Sequence, residues 1–190
     1  ALWYFLWYTR FYPNYRDLAY IKVNLDPRSL NVVRHHINTI AQPLQRAMLW
    51  QDLWAMVQDR RLSLAQYLQI VEANLAGETN LRLVGSILGT VARSYAWLEM
   101  IPGGYEEHQR SMRVLEPLIW RAVQQETGDG RKTWLDGYIR TAGNDKALQR
   151  LRGLLESPAA DGIELDQDRR WKALRRLAKY RCSGCAQLAE

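Results

Sequence analysis

The sequence predicts an all-α fold: an array of antiparallel helical hairpins led by one short β segment. Three observations carry that expectation. The stretch from Pro43 to Val71, PLQRAMLWQDLWAMVQDRRLSLAQYLQIV, holds apolar residues at three- and four-residue spacing in two runs separated by a short polar break, which puts them on one face of each of two helices. The same spacing returns in the later segments as far as Ala178. The breaks between segments are short and rich in glycine, proline and polar residues, which stop helices.

The chain opens on ALWYFLWY, an aromatic run far shorter than the ~20 residues of a membrane-crossing helix and without the basic start of a secretory leader. No later stretch is long and uncharged enough to span a bilayer, so no membrane contact is expected. Between Tyr20 and Asp26, the polar Lys22, Asn24 and Asp26 alternate with Ile21, Val23 and Leu25, the two-residue period of a half-buried strand. An isolated strand does not hold itself together. This one is expected to pair with an upstream strand, with a second copy, or with the aromatic run folded back through Pro13-Asn14. Residues 1–26 thus read as the last piece of a β domain, and residues 27–190 as a helical domain.

Asp26 before Pro27 is a helix start, because proline at the first helical position has a fixed φ and loses no needed hydrogen bond. Leu30, Val33, Ile37 and Ile40 give the first stripe, ending near Ala41. Gln42-Pro43 restarts the chain into the hairpin. There Leu44, Ala47, Met48, Trp50, Leu53, Trp54 and Val57 are expected on the buried face, with Gln45, Asp52 and Asp59 opposite. Ser63 is placed to cap the second arm, whose stripe is Leu64, Tyr67, Leu68, Val71 and Leu75.

Thr79 is expected to cap a long helix from about Asn80 to Glu99, with Leu81, Val84, Ile87, Leu88, Val91, Tyr95 and Leu98 buried. Gly85, Gly89, Ala92 and Ala96 line a strip of small residues beside that stripe, and an interior glycine costs about 1 kcal/mol relative to alanine, so another backbone is expected to approach there. Ile101-Pro102-Gly103-Gly104 is the clearest break. Helical spacing resumes from Tyr105 to Gln125, with Pro117 expected to kink the helix or start a new one. Gly128-Asp129-Gly130 is expected to end it. Trp134, Leu135, Tyr138 and Ile139 form a short helix stopped by Ala142-Gly143, and Asn144 caps the next, with Ala147, Leu148, Leu151, Leu154 and Leu155 on its face. A loop from Ser157 to Gly162 leads to Asp166, which caps a helix carrying Trp171, Leu174, Leu177 and Ala178, and Ser183 is placed to start one more. Such helices joined by short breaks describe a bundle or an irregular superhelix like the HEAT and armadillo arrays. No fixed repeat period and no tetratricopeptide or ankyrin signature is present.

With 190 residues, 47% of them hydrophobic and 24% charged, the chain can bury a core without disulfides or metal. A net charge of +6 and a pI near 9.5 would favour anionic partners if the charge were concentrated. No groove-reading helix motif or RNA-stacking signature accompanies it. Cys182 and Cys185 form one CxxC, half of a four-ligand zinc site and beside no βαβ pattern, so a reduced chain in the cytoplasm is expected.

Catalytic motifs are missing. HExxH, GxSxG, the P-loop and the dinucleotide GxGxxG do not occur. Of the three histidines, His35 and His36 are adjacent and point to different sides of a helix, and His108 stands alone. The carboxylate pairs Glu106-Glu107 and Asp166 with Asp168 sit at helix starts, where they answer the positive end of the dipole.

Pro43 to Leu68 resembles the opening helices of the ERAP1-like C-terminal domain of M1-family zinc aminopeptidases, as found in bacterial aminopeptidase N. The lead-in DLAYIKVNLDPRSLNVV is similar to the junction where the last strand of a small β-sandwich passes into the first helix of that domain. ETNLRLVGSILGTV, the segment with Gly128-Asp129 and Trp134, and DGIELDQDRRWKALRRLA follow in the family's order, over roughly residues 13 to 188. The family's upstream GAMEN motif and HExxH zinc site have no counterpart here, and the chain ends where the family would continue with further helices. The resemblance therefore implies a non-catalytic domain, inactive alone. In the complete enzyme, zinc and the peptide-cleaving residues lie in a catalytic domain, and this domain caps the chamber that admits peptides. The implied partners are the catalytic and β-sandwich domains and peptides, with self-association expected if those domains are missing.

Five residues are candidates for chamber or interdomain contact. Trp50, Trp54 and Trp171 are aromatics at helical spacing that could line a chamber or fill a core. Arg46 has the fork to hold a peptide carboxylate or an ordinary ion-pair partner. Arg170 belongs to the densest basic feature, with Arg169, Lys172, Arg175, Arg176, Lys179 and Arg181. Two other functions fit the same residues. One is a stand-alone helical scaffold for a protein partner. The other, subordinate to both, is a basic module that binds nucleic acid through Arg169 to Arg181.

Overall fold

A computed structural model describes residues 22–157 and 162–180. Among them the chain is all-α, with eight α-helices and two short 3₁₀ turns. It divides into two compact units, Ala1–Thr90 and Val91–Glu190.

In the first unit, residues 22–26 are extended, with Val23 and Leu25 buried and Lys22, Asn24 and Asp26 exposed. The alternation expected of a strand is present. The strand is not, because no described segment runs alongside to supply a ladder. Tyr20, Ile21 and the aromatic run lie outside the described residues. Asp26 caps α1 (Pro27–His36) by accepting from the Arg28 and Ser29 backbone N–H groups at 2.9 and 3.2 Å. A 3₁₀ turn, Ile37–Thr39, then leads to α2 (Pro43–Gln58). Ser63 and Gln66 form a reciprocal capping box at the head of α3 (Leu64–Asn74).

The expected face of α2 is buried at Met48, Trp50, Leu53 and Val57, and departs from expectation at the start of the helix. Leu44 is 55% exposed while Gln45 and Arg46 are buried, because a polar partner for Arg46 waits on that side. Leu53, Tyr67, Leu68, Val71 and Leu75 make the centre of this core. Asn74 ties α1 to it from inside: its side chain accepts from the Ile37 N–H at 3.1 Å and donates to the Arg34 and Ile70 carbonyls.

Helix α4 (Leu81–Leu98) begins one residue later than expected. Its cap is Asn80, whose carbonyl oxygen accepts from the Arg82 and Leu83 N–H groups. Thr79 is displaced from that role because Glu78 accepts from the Asn80 N–H at 2.8 Å and sets the entry of the chain. Gly85 and Gly89 are half-buried within α4.

In the second unit, Gly103 takes φ +74° before α5 (Gly104–Gln125), a left-handed turn open to glycine at no steric cost. Pro117 neither ends α5 nor starts a new helix. Proline removes one N–H bond to the residue four back, here Arg113, and both are exposed, so water can satisfy the freed carbonyl. Gly128-Asp129-Gly130 is likewise not a terminator. It forms the first turn of α6 (Gly128–Thr141), and the break is Glu126-Thr127. Asn144 caps α7 (Asp145–Glu156) and Asp166 caps α8 (Gln167–Lys179), as their positions predict. Helix α5 packs along α6, and α8 packs on both α6 and α7. Leu115, Ile119, Val123, Leu135, Leu151 and Leu177 lie at the centre. Ser183, Cys182, Cys185 and part of the 157–162 loop lie outside the described residues.

One polar cluster joins three of these helices. Tyr138 on α6 donates to Glu116 Oε1 on α5 at 2.7 Å. Arg150 on α7 donates to both Glu116 and the Tyr138 hydroxyl, and its guanidinium lies 4.5 Å from the centre of the Trp120 ring. Burial, then the hydrogen bond to Glu116, pushes the Tyr138 phenol well above its ordinary pKa, so it stays a donor.

Candidate functional site

The first unit places Arg46, Trp50 and Trp54 along α2. Arg46 donates through Nε and one terminal nitrogen to the two oxygens of Glu78, both at 2.8 Å, and through the other nitrogen to the Ile40 carbonyl at 2.6 Å and the Ala41 carbonyl at 3.2 Å. The side chains are 6% and 1% exposed. Four of its five N–H groups are taken, so the guanidinium fastens α2 to the segment before α4. Trp50 and Trp54 both meet the Tyr67 ring edge-on, with centroids 6.2 and 5.4 Å away. They fill the joint between the two arms of the hairpin. The buried Trp50 indole N–H has no hydrogen-bond partner among the described residues.

The second unit places Arg170 and Trp171 on α8. Trp171 is 49% exposed and Arg170 half-buried. Trp171 was expected on the apolar face with Leu174, but Ala173, Leu174 and Leu177 define that face. Three of the six basic residues on α8 are paired with carboxylates within the unit. Arg169 pairs with Asp136 and Asp166, Lys172 with Asp168 and, at 3.7 Å, with Asp136, and Lys179 with Glu99 at 2.7 Å. Arg181 lies outside the described residues.

Sequence reasoning missed what faces this run. A cavity of about 300 Å³ opens between α8, the end of α6 and the part of α4 in this unit, lined by Ala92, Tyr95, Ala96, Ile139 and Arg140 together with Lys172, Arg175, Arg176 and Lys179. Nothing in the spacing of the α8 basic residues points to Arg140 as their neighbour. The only sequence signal was the pair of alanines in the small-residue strip, which leaves room.

His108 sits close by, 3% exposed, with its ring 4.5 Å from that of Tyr95. Its Nδ1 is 3.9 Å from Glu99, and its Nε2 has no partner among the described residues. Burial lowers its pKa, and Arg176 and Lys179 push the same way, against the opposing pull of Glu99. The folded imidazole is therefore neutral where the unfolded one, at about 6.5, already takes up a proton. The unfolded state binds more protons there, so stability rises with pH and is lost on acidification below about 6.5. Urea midpoints between pH 7 and 5.5 are expected to fall more steeply for the native chain than for His108→Phe. Parallel slopes would show that the imidazole is protonated in the folded state as well.

Among the described residues no three histidine, cysteine, aspartate or glutamate side chains gather to hold a metal. His35 and His36 are exposed, with rings 6.4 Å apart at 73°. No described helix is long and apolar enough to cross a membrane.

Among the described residues the fold is all-α and tied by internal ion pairs, and the sequence carries none of HExxH, GxSxG, the P-loop or GxGxxG. The family model of the ERAP1-like C-terminal domain matches residues 11–189, and the chain belongs to that family. Aminopeptidase N of Streptomyces lividans is 28% identical over 175 residues, which cover 91% of this chain and 20% of that protein. The chain thus spans about one fifth of that relative's length.

Proposed function

We propose that this chain is the non-catalytic helical domain of a zinc-dependent aminopeptidase that removes N-terminal residues from peptides, and that it caps the active-site chamber and shapes peptide access. The observation that carries this reading is the family match over residues 11–189 beside a relative about five times longer. Zinc in that enzyme activates water for attack on the peptide bond. The described residues hold no cluster that would fit such an ion, and in this reading the metal and the cleaving groups belong to a separate catalytic domain. Residues 1–26 are then the remnant of a β-sandwich domain, and residues 27–190 the helical domain, which is cytoplasmic with the rest of the enzyme.

Arg46, Trp50 and Trp54 act in this reading by holding the hairpin in shape. Arg170 and Trp171, more open, are the better placed for contact with peptide or a neighbouring domain. Exposed Met100, Ile101 and Tyr105 around one turn offer apolar surface that another domain would cover. Left bare, they favour self-association.

The purified chain is expected to release no anilide from aminoacyl-anilide substrates, with or without added zinc. Zinc-dependent turnover would refute the non-catalytic role. A reading frame encoding HExxH joined to or just upstream of this one distinguishes the aminopeptidase reading from a free-standing scaffold.

A further inference from the structure

We propose that the cavity of the second unit is a binding site for a small organic phosphate, a phosphomonoester carried on a flat apolar body. This goes beyond the aminopeptidase reading and does not depend on it.

The argument begins with charge. Five cations border the cavity. Two are answered: Lys172 by Asp168 and Asp136, and Lys179 by Glu99. Arg140, Arg175 and Arg176 have no carboxylate partner among the described residues. Two of these three are held in place by neutral groups that fix the guanidinium without cancelling it. Arg176 donates from Nε to the Ala142 carbonyl and from a terminal nitrogen to the Tyr180 hydroxyl at 3.4 Å, with its guanidinium 5.2 Å from the centre of the Tyr180 ring. Arg140 donates from Nε to the Asp136 carbonyl at 3.1 Å, and its two terminal nitrogens make no hydrogen bond among the described residues. Fixed forks with free N–H groups are the donors that suit phosphate oxygens. Three unanswered charges exceed what a single carboxylate neutralises, whereas a phosphomonoester brings close to two negative charges and three acceptor oxygens.

The floor defines the rest of the ligand. Tyr95 and Ile139 are buried beneath it, and Ala92 and Ala96 present only methyl groups, which is why the space exists. A bare inorganic anion would leave this apolar floor wet. A volume of about 300 Å³ is at the small end for ligand pockets and suits one ring with its phosphate.

Phenyl phosphate, inorganic phosphate and benzoate serve as probes in calorimetric titrations of the full chain at low salt. Phenyl phosphate is expected to saturate one site about tenfold more tightly than either of the others, and to weaken as salt is raised. Arg175→Glu and Arg140→Glu alter exposed residues and leave the fold intact; each is expected to cost about tenfold in affinity by reversing one charge at the rim. Ala96→Leu fills the cavity without touching charge. It is expected to abolish the advantage of phenyl phosphate over inorganic phosphate. The proposal is overturned if phenyl phosphate shows no saturable binding, if benzoate binds as tightly, or if Ala96→Leu leaves all three affinities unchanged. The last outcome would mean a diffuse basic face. None of these failures bears on peptide hydrolysis, so the aminopeptidase reading stands or falls separately.

Discussion

Arg46→Ala is expected to lower the unfolding free energy by about 3–5 kcal/mol, the range for breaking a buried ion pair from one side. The size follows from what remains. Glu78 is almost wholly enclosed, and without the guanidinium its carboxylate keeps only the Asn80 N–H as a partner among the described residues. The Ile40 and Ala41 carbonyls lose their donor as well. Glu78→Gln keeps the shape and one acceptor, so its cost is expected to be smaller. The double change Arg46→Met with Glu78→Leu removes both charges and is expected to recover most of the loss, because two apolar side chains need no compensation. Urea unfolding followed by tryptophan fluorescence measures all four proteins. A loss under about 1 kcal/mol for Arg46→Ala would place the pair among the hydrated surface bridges.

Glu116→Ala is expected to cost about 2–4 kcal/mol, since it takes the shared anion from a partly buried arginine and a buried tyrosine. Arg150 retains some access to water, with its side chain 22% exposed, which holds the effect below that of Arg46→Ala. Its stacking on Trp120 and the bond to the Tyr138 hydroxyl survive in principle, but the group that orients both is gone. A double-mutant cycle with Arg150→Met is expected to give a coupling of at least about 1 kcal/mol, because the two side chains touch. Additive effects would mean that the Arg150–Glu116 contact stabilises nothing. The cluster joins α5, α6 and α7, so loss of protection from hydrogen exchange is expected at all three in the variant.

Much of the helical layout was legible because its signals are local. Asp26, Ser63, Asn144 and Asp166 each cap the helix that follows, and each cap depends on a side chain reaching an N–H group two or three residues ahead. The misreadings share a cause. Thr79 and Asn80 are both fair caps, and Glu78 decides between them. Of the kink or new helix expected at Pro117, the new helix does not form, because the carbonyl the proline frees is exposed and water can satisfy it. Gly128 to Gly130 looks like a stop but opens α6. The period-two segment at 22–26 has its inward and outward faces correct, yet alternation cannot say whether a second strand lies beside it.

The sites were less readable than the spans. Arg46 and Glu78 are 32 residues apart and Lys179 and Glu99 are 80 apart, separations that no helical spacing encodes. Arg140, on a different helix from the other rim cations, became part of the cavity only through packing.

By itself, then, the sequence determined that this protein is helical, where most helices start, and that it carries no HExxH, GxSxG, P-loop or GxGxxG motif, since all three depend on residue types at short spacing. Only the tertiary structure decided which cations are neutralised, which aromatics are core and where a cavity opens. Those outcomes depend on which side chains of distant helices meet and exclude water, and burial strengthens or silences a charge according to its neighbours rather than its place in the chain.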